Sequence, residues 1–336
     1  GMRPSSTGCY TNGDFWTGFI PEGRGLSQAF RKAGYVALGC GKIYHNSSCY
    51  ESEWDDYHKP AAELSKGSSG MEKYEGFREE VRTMVEDTDL NDWHVTDWCV
   101  RQIGKQHDKP LFLACGLFRP HLPWVVPQKY YDQFPLEKIE LPPFREDDLD
   151  DIPGAGVKMA KASGDHEAIT KADRWKKAIQ SYLACCAYTD MNVGRLLDAV
   201  EKSGRMDNTI IVLWGDHGWH LGEKSHWRKC TLWEEATRAP LIWVAPGVTK
   251  PGTVCERPVD FLSIYPTLCE LAGLPVPEWV EGPSIKPLLA DPQAQWPHAA
   301  VTTHGFRNHS VRSADWRYIR YADGSEELYD HRKDSS

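Results

Sequence analysis

A chain of 336 residues, 40% hydrophobic and 26% charged, holds either one large globular domain or a large and a small one. Its net charge of −9 and the lack of any Lys/Arg block leave nucleic-acid binding without support. No apolar stretch approaches the roughly 18 residues of a membrane span, and an anionic ligand would need a local cationic pocket to offset the global charge.

The predicted elements alternate. Residues 26–34 have helical spacing and stop at Gly34; residues 35–40 read as a short buried strand leading into Gly41 and Lys42. Residues 47–76 are polar and weakly periodic, the pattern of a long surface loop. The spacing predicts a helix over 88–106, with Trp93, Thr96, Asp97, Val100 and Ile103 on one side and Asp87 or Thr88 as cap. A strand over 110–116 and an acidic, Pro-containing extended loop over 140–156 follow. Residues 170–204 form the clearest helical region: Ile179, Tyr182, Leu183 and Cys186, then Val193, Leu196, Leu197 and Val200, repeat at i, i+3, i+4, i+7 up to Gly204. Residues 209–214 and 240–245 are apolar strands, and 260–273 is a helix closed by Gly273. Strands alternating with helices predict an α/β fold with a mostly parallel sheet covered on both faces. From 299 the pattern changes to alternating strands at 299–304, 309–312, 316–321 and 327–329, with a hairpin turn at Ala322-Asp323-Gly324-Ser325. The expected organisation is an α/β domain over 1–298 and a small antiparallel C-terminal subdomain over 299–336.

The ten cysteines include no C-x-x-C pair, which argues against a structural zinc site. Cys115, in an apolar strand, and Cys185 and Cys186, in a helix, are expected as buried free thiols. Cys40 and Cys49 are near enough in sequence for a disulfide.

The segment 209–229 is the most informative. Ile210 to Trp214 form a continuous apolar run, suited to a strand buried on both faces. It stops at Gly215-Asp216-His217-Gly218, and open α/β sheets bind ligands just beyond the carboxyl ends of their strands. Arg228 and Lys229 add positive charge a little further on. A carboxylate for a metal and a lysine for an anion make a site for a phosphate or sulfate ester. His220, Glu223 and His226 could join His217 around zinc, but Gly218 and Gly222 disfavour the regular helix this would use.

The string GDHGWHLGEKSHWRK resembles the second metal-binding motif of the type I sulfatases, in the alkaline-phosphatase-like superfamily, and its Asp-His pair resembles the branch containing iduronate-2-sulfatase. Gly41-Lys42-Ile43-Tyr44-His45, Phe118-Arg119-Pro120-His121-Leu122-Pro123 and Glu327-Leu328-Tyr329-Asp330 agree in order and spacing. The resemblance implies an alkaline-phosphatase-like fold and a sulfuric ester hydrolase acting on a small-molecule or saccharide sulfate ester, in a periplasmic or secreted setting. It assigns Asp216 and His217 to a Ca²⁺ ion, although a His ligand suits a softer metal better. Lys42 would contact sulfate oxygens and the nucleophile. His45 would remove a proton during sulfate release. His121 would bind sulfate and act as general acid for the leaving alcohol. Lys229, with Arg228 as substitute, would hold the sulfate and stabilise transition-state charge. Lys42 and His45 share a side if their segment is a helical turn. His304, Arg307 and His309 fall where these enzymes select substrate; a solvated loop is the alternative.

The first residues, GMRPSSTG, resemble the stretch after the sulfatase signature Cys/Ser-x-Pro-Ser-Arg, whose Cys or Ser becomes the formylglycine nucleophile. On that reading the nucleophile, its arginine and an Asp-Asp metal pair precede residue 1, and the chain is a fragment truncated at both ends. Two other readings stay open: a phosphoric ester hydrolase of the same superfamily, and an inactive fragment or binding protein without a nucleophile.

Overall fold

The computed structural model describes residues 1–45, 49–59, 82–160 and 164–333. In chain order the main elements are α1 (Leu26–Lys32), β1 (Val36–Gly41), β2 (Asp56–His58), α2 (Asn91–Gly104), β3 (Leu111–Gly116), α3 (Gly154–Ala160), α4 (Asp165–Lys171) and α5 (Trp175–Lys202). They continue with β4 (Ile211–Trp214), β5 (His220–Leu221), β6 (Trp227–Arg228), β7 (Leu241–Val244), α6 (Ile264–Leu271), β8 (Ala300–Thr303), β9 (His309–Arg312), β10 (Trp316–Arg320) and β11 (Glu326–Asp330). Close contacts divide the chain into two units: one of Gly1–Ile20, Pro143–His166 and Asp207–Ser336, the other of Pro21–Pro142 and Glu167–Met206.

The second unit is built on a parallel sheet in the order β2-β1-β3. Val36, Leu38 and Cys40 of β1 stand opposite Leu111, Leu113 and Cys115 of β3, and α2 covers them with Val95, Trp98 and Cys99. The strand β2 was not evident in the sequence: Asp56-Tyr57-His58 has no apolar alternation, and the main chain makes the pairing. The rest of the loop expected over 47–76 lies largely outside the described residues.

In both long helices the buried face overlaps the expected one only in part. In α2 the buried set is Asp92, Val95, Thr96, Trp98, Cys99, Gln102 and Ile103. Trp93 instead lies under the Arg195 guanidinium at 3.7 Å, and Asp97 pairs with Arg101. No side chain of Asp87 or Thr88 caps this helix; residues 87–89 form a short 3₁₀ turn of their own. In α5 the expected Ile179 and Val200 are buried, but the deepest stripe is Ala178, Ser181, Ala184, Cys185, Tyr188 and Asn192, one step round from the half-buried Tyr182, Leu183 and Cys186. Small residues let a neighbouring element approach most closely, so the seam follows them rather than the bulkiest side chains.

All ten cysteines are free thiols, so Cys40 and Cys49 are not joined. Cys40 is buried in the β1–α2 core, where hydrogen bonding to Cys115 and Cys40 pushes the Cys99 thiol far above the ordinary range, with burial adding to it. These thiols behave as small apolar packing residues.

In the first unit the expected parallel partnership of β4 is corrected. β4 runs antiparallel to β7, with Ile211 opposite Val244 and Trp214 opposite Leu241. Nor is the β4–β7 pair buried on both faces: Trp214 of β4 and Ile242 (57% exposed) and Val244 of β7 reach solvent. A short apolar run carries no information about strand direction or about how many of its faces are covered. The C-terminal strands match their expected positions and form an antiparallel sheet in the order β11-β10-β9-β8. The structure thus combines a parallel sheet, flanking helices and antiparallel C-terminal strands, the α/β class expected.

This sheet packs Ile319 and Tyr321 against Leu232, Trp233 and Ala160. A buried carboxylate organises the cluster. Glu327, only 8% exposed, accepts from Trp233 Nε1 (2.9 Å), Tyr321 Oη (2.5 Å) and Tyr329 Oη (2.5 Å). The Glu-Leu-Tyr-Asp string is therefore a packing motif in this chain. Glu327→Ala strands three donors and should lower unfolding free energy by about 3 kcal/mol in urea titrations, with Glu327→Gln costing less.

Candidate active site

The candidate residues divide between the units. Lys42, His45 and His121 belong to the second, at the carboxyl ends of β1 and β3. These ends are held very close. Lys42 N–H donates to Gly116 O at 2.7 Å, and Tyr57 Oη donates to Gly41 O at 2.7 Å. A Cβ on Gly41, whose φ is +82°, would lie 2.2 Å from Gly116 O, and one on Gly116 would lie 2.3 Å from the Lys42 main chain. Only glycine fits either position. The expected helical turn is absent: residues 42–45 follow bends, so the i, i+3 argument for Lys42 and His45 does not apply. Lys42 is half-buried and His45 is exposed.

His121 sits in the loop after β3. Asp92, buried in the first turn of α2, accepts from Phe118 N (2.7 Å) and Arg119 N (2.8 Å) and so fixes the loop's base. His121 N–H returns to Phe118 O, and its ring lies 5.0 Å from that of Phe118. His121 Nδ1 is 2.7 Å from Leu122 O, a carbonyl that can only accept, so the bond places a proton on Nδ1.

Asp216, His217 and Lys229 belong to the first unit, beyond the end of β4. The turn that carries the pair is tied by Gly215 N–H to Pro240 O and by Gly218 N–H to Ala236 O. His217 Nδ1 is 2.8 Å from Gly218 O, while His217 Nε2 lies 3.4 Å from Asp216 Oδ1. A histidine that gives one N–H to a main-chain carbonyl presents its other nitrogen as a lone-pair donor, the usual arrangement of an imidazole ligand. Nitrogen and carboxylate at this separation suit two ligands of one cation. Among the described residues, no group of three or more His, Cys, Asp or Glu is arranged to hold a metal.

Arg228 and Lys229, not distinguishable by spacing, have different surroundings. Arg228 Nε is 2.5 Å from Asp165 Oδ2, a carboxylate only 3% exposed. Lys229 is half-buried, with its Nζ 6.0 Å from the centre of the Trp219 ring. Arg228 is thus tied into the framework through Asp165.

The alternative zinc group does not assemble. His220 Nε2 faces Thr231 Oγ1 at 2.8 Å, both nitrogens of His226 face main-chain carbonyls, and a Glu223 oxygen accepts from Leu221 N. Burial, aided by the nearby His226, holds the His220 imidazole well below its ordinary pKa and hence neutral.

A cleft of about 380 Å³ opens beside Cys230, lined by Ala155, Lys158 and Met159 of α3 and by His304 and Asn308. The Asn308 side chain shapes the hairpin that forms this wall, donating to His304 O and accepting from Ala322 N. Burial lowers the His304 pKa, leaving its ring neutral near pH 7. Of the other two hairpin candidates, His309 Nδ1 meets Thr303 Oγ1 at 3.0 Å and Arg307 lies over Phe306. Lys158 was hidden from sequence reading because α3 begins inside a stretch whose Pro, Gly and acidic residues indicate a loop.

The family model described as Sulfatase matches residues 1–274, and that described as N-sulphoglucosamine sulphohydrolase, C-terminal, matches 222–336. A sulfatase of Formosa agariphila is 36% identical, with 99% of this chain covering 70% of its length. Iduronate 2-sulfatase of Mus musculus is 30% identical; 82% of this chain covers 59% of it, so the chain spans less than two thirds of that relative. Among solved structures, phosphonate monoester hydrolase from Silicibacter pomeroyi superposes with a TM-score of 0.80 at 21% identity, over all of this chain and 78% of the other. A protein in complex with its substrate D-glucosamine-2-N,6-O-disulfate gives 0.74 at 22% identity, over 99% of this chain and 80% of the other. The structural likenesses establish a shared fold; the family match over most of the sequence establishes descent, and the chain belongs to the sulfatase family.

Proposed function

We propose that the whole protein hydrolyses a sulfate ester of a saccharide. The observation that carries this reading is the pairing of His217 Nε2 with Asp216 Oδ1, with His217 Nδ1 fixed on Gly218 O, in a chain of the sulfatase family. Asp216 and His217 would hold a divalent cation, Ca²⁺ by resemblance, which draws charge from sulfate oxygens when bound. By resemblance, Lys42 and Lys229 would each offer positive charge to sulfate oxygens. His121, with its Nδ1 proton on Leu122 O, would act as general acid by resemblance, giving a second ring proton, carried on Nε2, to the departing alcohol. His45 accepts a proton as sulfate leaves. The 336-residue sequence contains no Cys/Ser-x-Pro-Ser-Arg signature, so the formylglycine expected in this family is not among its residues and the activity is assigned to the whole protein.

The saccharide reading draws support from relatives named for sugar sulfates and from the cleft beside Cys230. Its walls are mainly apolar, with Lys158 as a cationic group and the neutral His304 imidazole. That combination suits a sugar ring bearing a further anionic substituent. The periplasmic or secreted setting is proposed on the family resemblance; among the described residues no helix is long and apolar enough to cross a membrane. Likeness to a phosphonate monoester hydrolase keeps a phosphoric ester substrate as the second reading.

Four outcomes follow for the whole protein. It should turn over 4-nitrophenyl sulfate in preference to 4-nitrophenyl phosphate, and Lys229→Ala should lower kcat/KM for the sulfate by about 100-fold at unchanged melting temperature. Preference for the phosphate would move the chain to the second reading, and unaltered kinetics would remove Lys229 from the site. Asp216→Ala should reduce bound calcium, measured by elemental analysis after dialysis; two zinc ions per chain would contradict the calcium assignment. Lys158→Ala should raise KM for a carboxylate-bearing sugar sulfate about threefold more than KM for 4-nitrophenyl sulfate, the scale of an exposed ion pair. An equal change in both would empty the cleft of its proposed role.

A further inference from the structure

Lys229 stands between two residues in an uncommon conformation. Arg228 has φ +73° and Cys230 has φ +77°, the left-handed region that non-glycine residues rarely occupy. Such backbone persists only where its surroundings over-determine it. Several contacts do so. Trp227 is fully buried, with Nε1 3.2 Å from His166 Nδ1, and Arg228 is tied to Asp165. These fix the residues before the lysine.

His226 fixes the lysine itself. It is 2% exposed; its Nε2 lies 2.9 Å from Lys229 O and its Nδ1 lies 2.8 Å from Ala160 O. Both partners are carbonyl oxygens, which only accept. A ring with N–H on both nitrogens makes both bonds, whereas either neutral tautomer makes one and turns a lone pair on the other oxygen. The ring thus staples the main chain of Lys229 to the last residue of α3. Thr231, on the far side of Cys230, meets the buried His220, whose ring stands edge-on to His226 with centroids 4.9 Å apart. The loop is gripped on each side of the lysine, and at its own carbonyl.

We propose that His226 is a positioning residue for Lys229, holding the main chain from which the ammonium reaches the sulfate. The role rests on the assignment of Lys229 made above. Loss of the staple frees the left-handed pair to relax and displaces the lysine, and displacements near 1 Å can cost about 100-fold in rate.

The test is a double-mutant cycle in the whole protein with 4-nitrophenyl sulfate as probe. His226→Phe removes both ring nitrogens; His226→Gln retains an amide donor and serves if the phenylalanine variant does not fold. Melting temperature is followed throughout. His226→Phe should lower kcat about tenfold or more with a smaller change in KM, and His226→Gln should restore part of it. Combined with Lys229→Ala, it should add less than about twofold, because its effect passes through the lysine. Wild-type kcat in folded His226 variants, or losses that multiply in the double variant, would overturn the positioning role while leaving Lys229 in place. A Lys229→Ala enzyme of wild-type activity would overturn the assignment of the lysine, and the inference with it.

Discussion

The candidate side chains are placed by close approach of main chain to main chain. At the ends of β1 and β3, Lys42 N–H reaches Gly116 O across a gap with no room for a Cβ on either glycine. Beyond β4 the same device recurs: a Cβ on Gly218 would fall 2.0 Å from Glu235 O, so the His217 turn lies flat against the segment 235–238. Side-chain packing in a core tolerates a methylene more or less at modest cost. Contact between backbones does not, and groups carried on such contacts keep their positions while the flanking loops vary. Each unit uses this means to present a lysine or a histidine from the end of a strand.

Around that frame the first unit is held by carboxylates that are buried or nearly so and paired with one or more donors. Glu327 gathers Trp233, Tyr321 and Tyr329; Glu234 gathers Arg312 and Arg317; Asp165 takes Arg228, and Asp148 takes the nearly buried Lys224. Burial acts to raise the Glu234 pKa, but the two arginines outweigh it and the carboxyl remains below its ordinary range. Such clusters stabilise little in total once desolvation is counted, yet removing one member leaves uncompensated charge. They specify how the C-terminal sheet and the segment 227–234 fit together, which apolar contacts alone would leave less defined.

Much of this was legible in the sequence because one-sided burial leaves a period. The four C-terminal strands were found within a residue or two, with inward and outward positions alternating most clearly along β10. The ends of β1, β3 and β4 were legible from apolar runs that stop at glycine. Where the controlling fact was a neighbour, reading failed. The seam of α5 follows Ala178, Ser181 and Ala184, whose small size matters only beside another element. The direction of β4 depends on β7, and β2 exists because β1 offers its edge. Lys158 and Asp165 gained meaning only when folding brought them to Cys230 and Arg228. The candidate histidines and lysines were marked by motif, but the difference between Arg228 and Lys229 was written in Asp165, far away in sequence.

The bond from His226 to the carbonyl of Lys229, rather than to its side chain, separates the mount from the tool. Every residue except for its side chain offers the same carbonyl, so position 229 can exchange its chemistry without dismantling its support. An arginine, a glutamine or an unnatural cation installed there would inherit the same foothold. The loop is in that sense an interchangeable holder, and divergence toward esters of other geometry could proceed at one codon while the surrounding architecture stayed fixed.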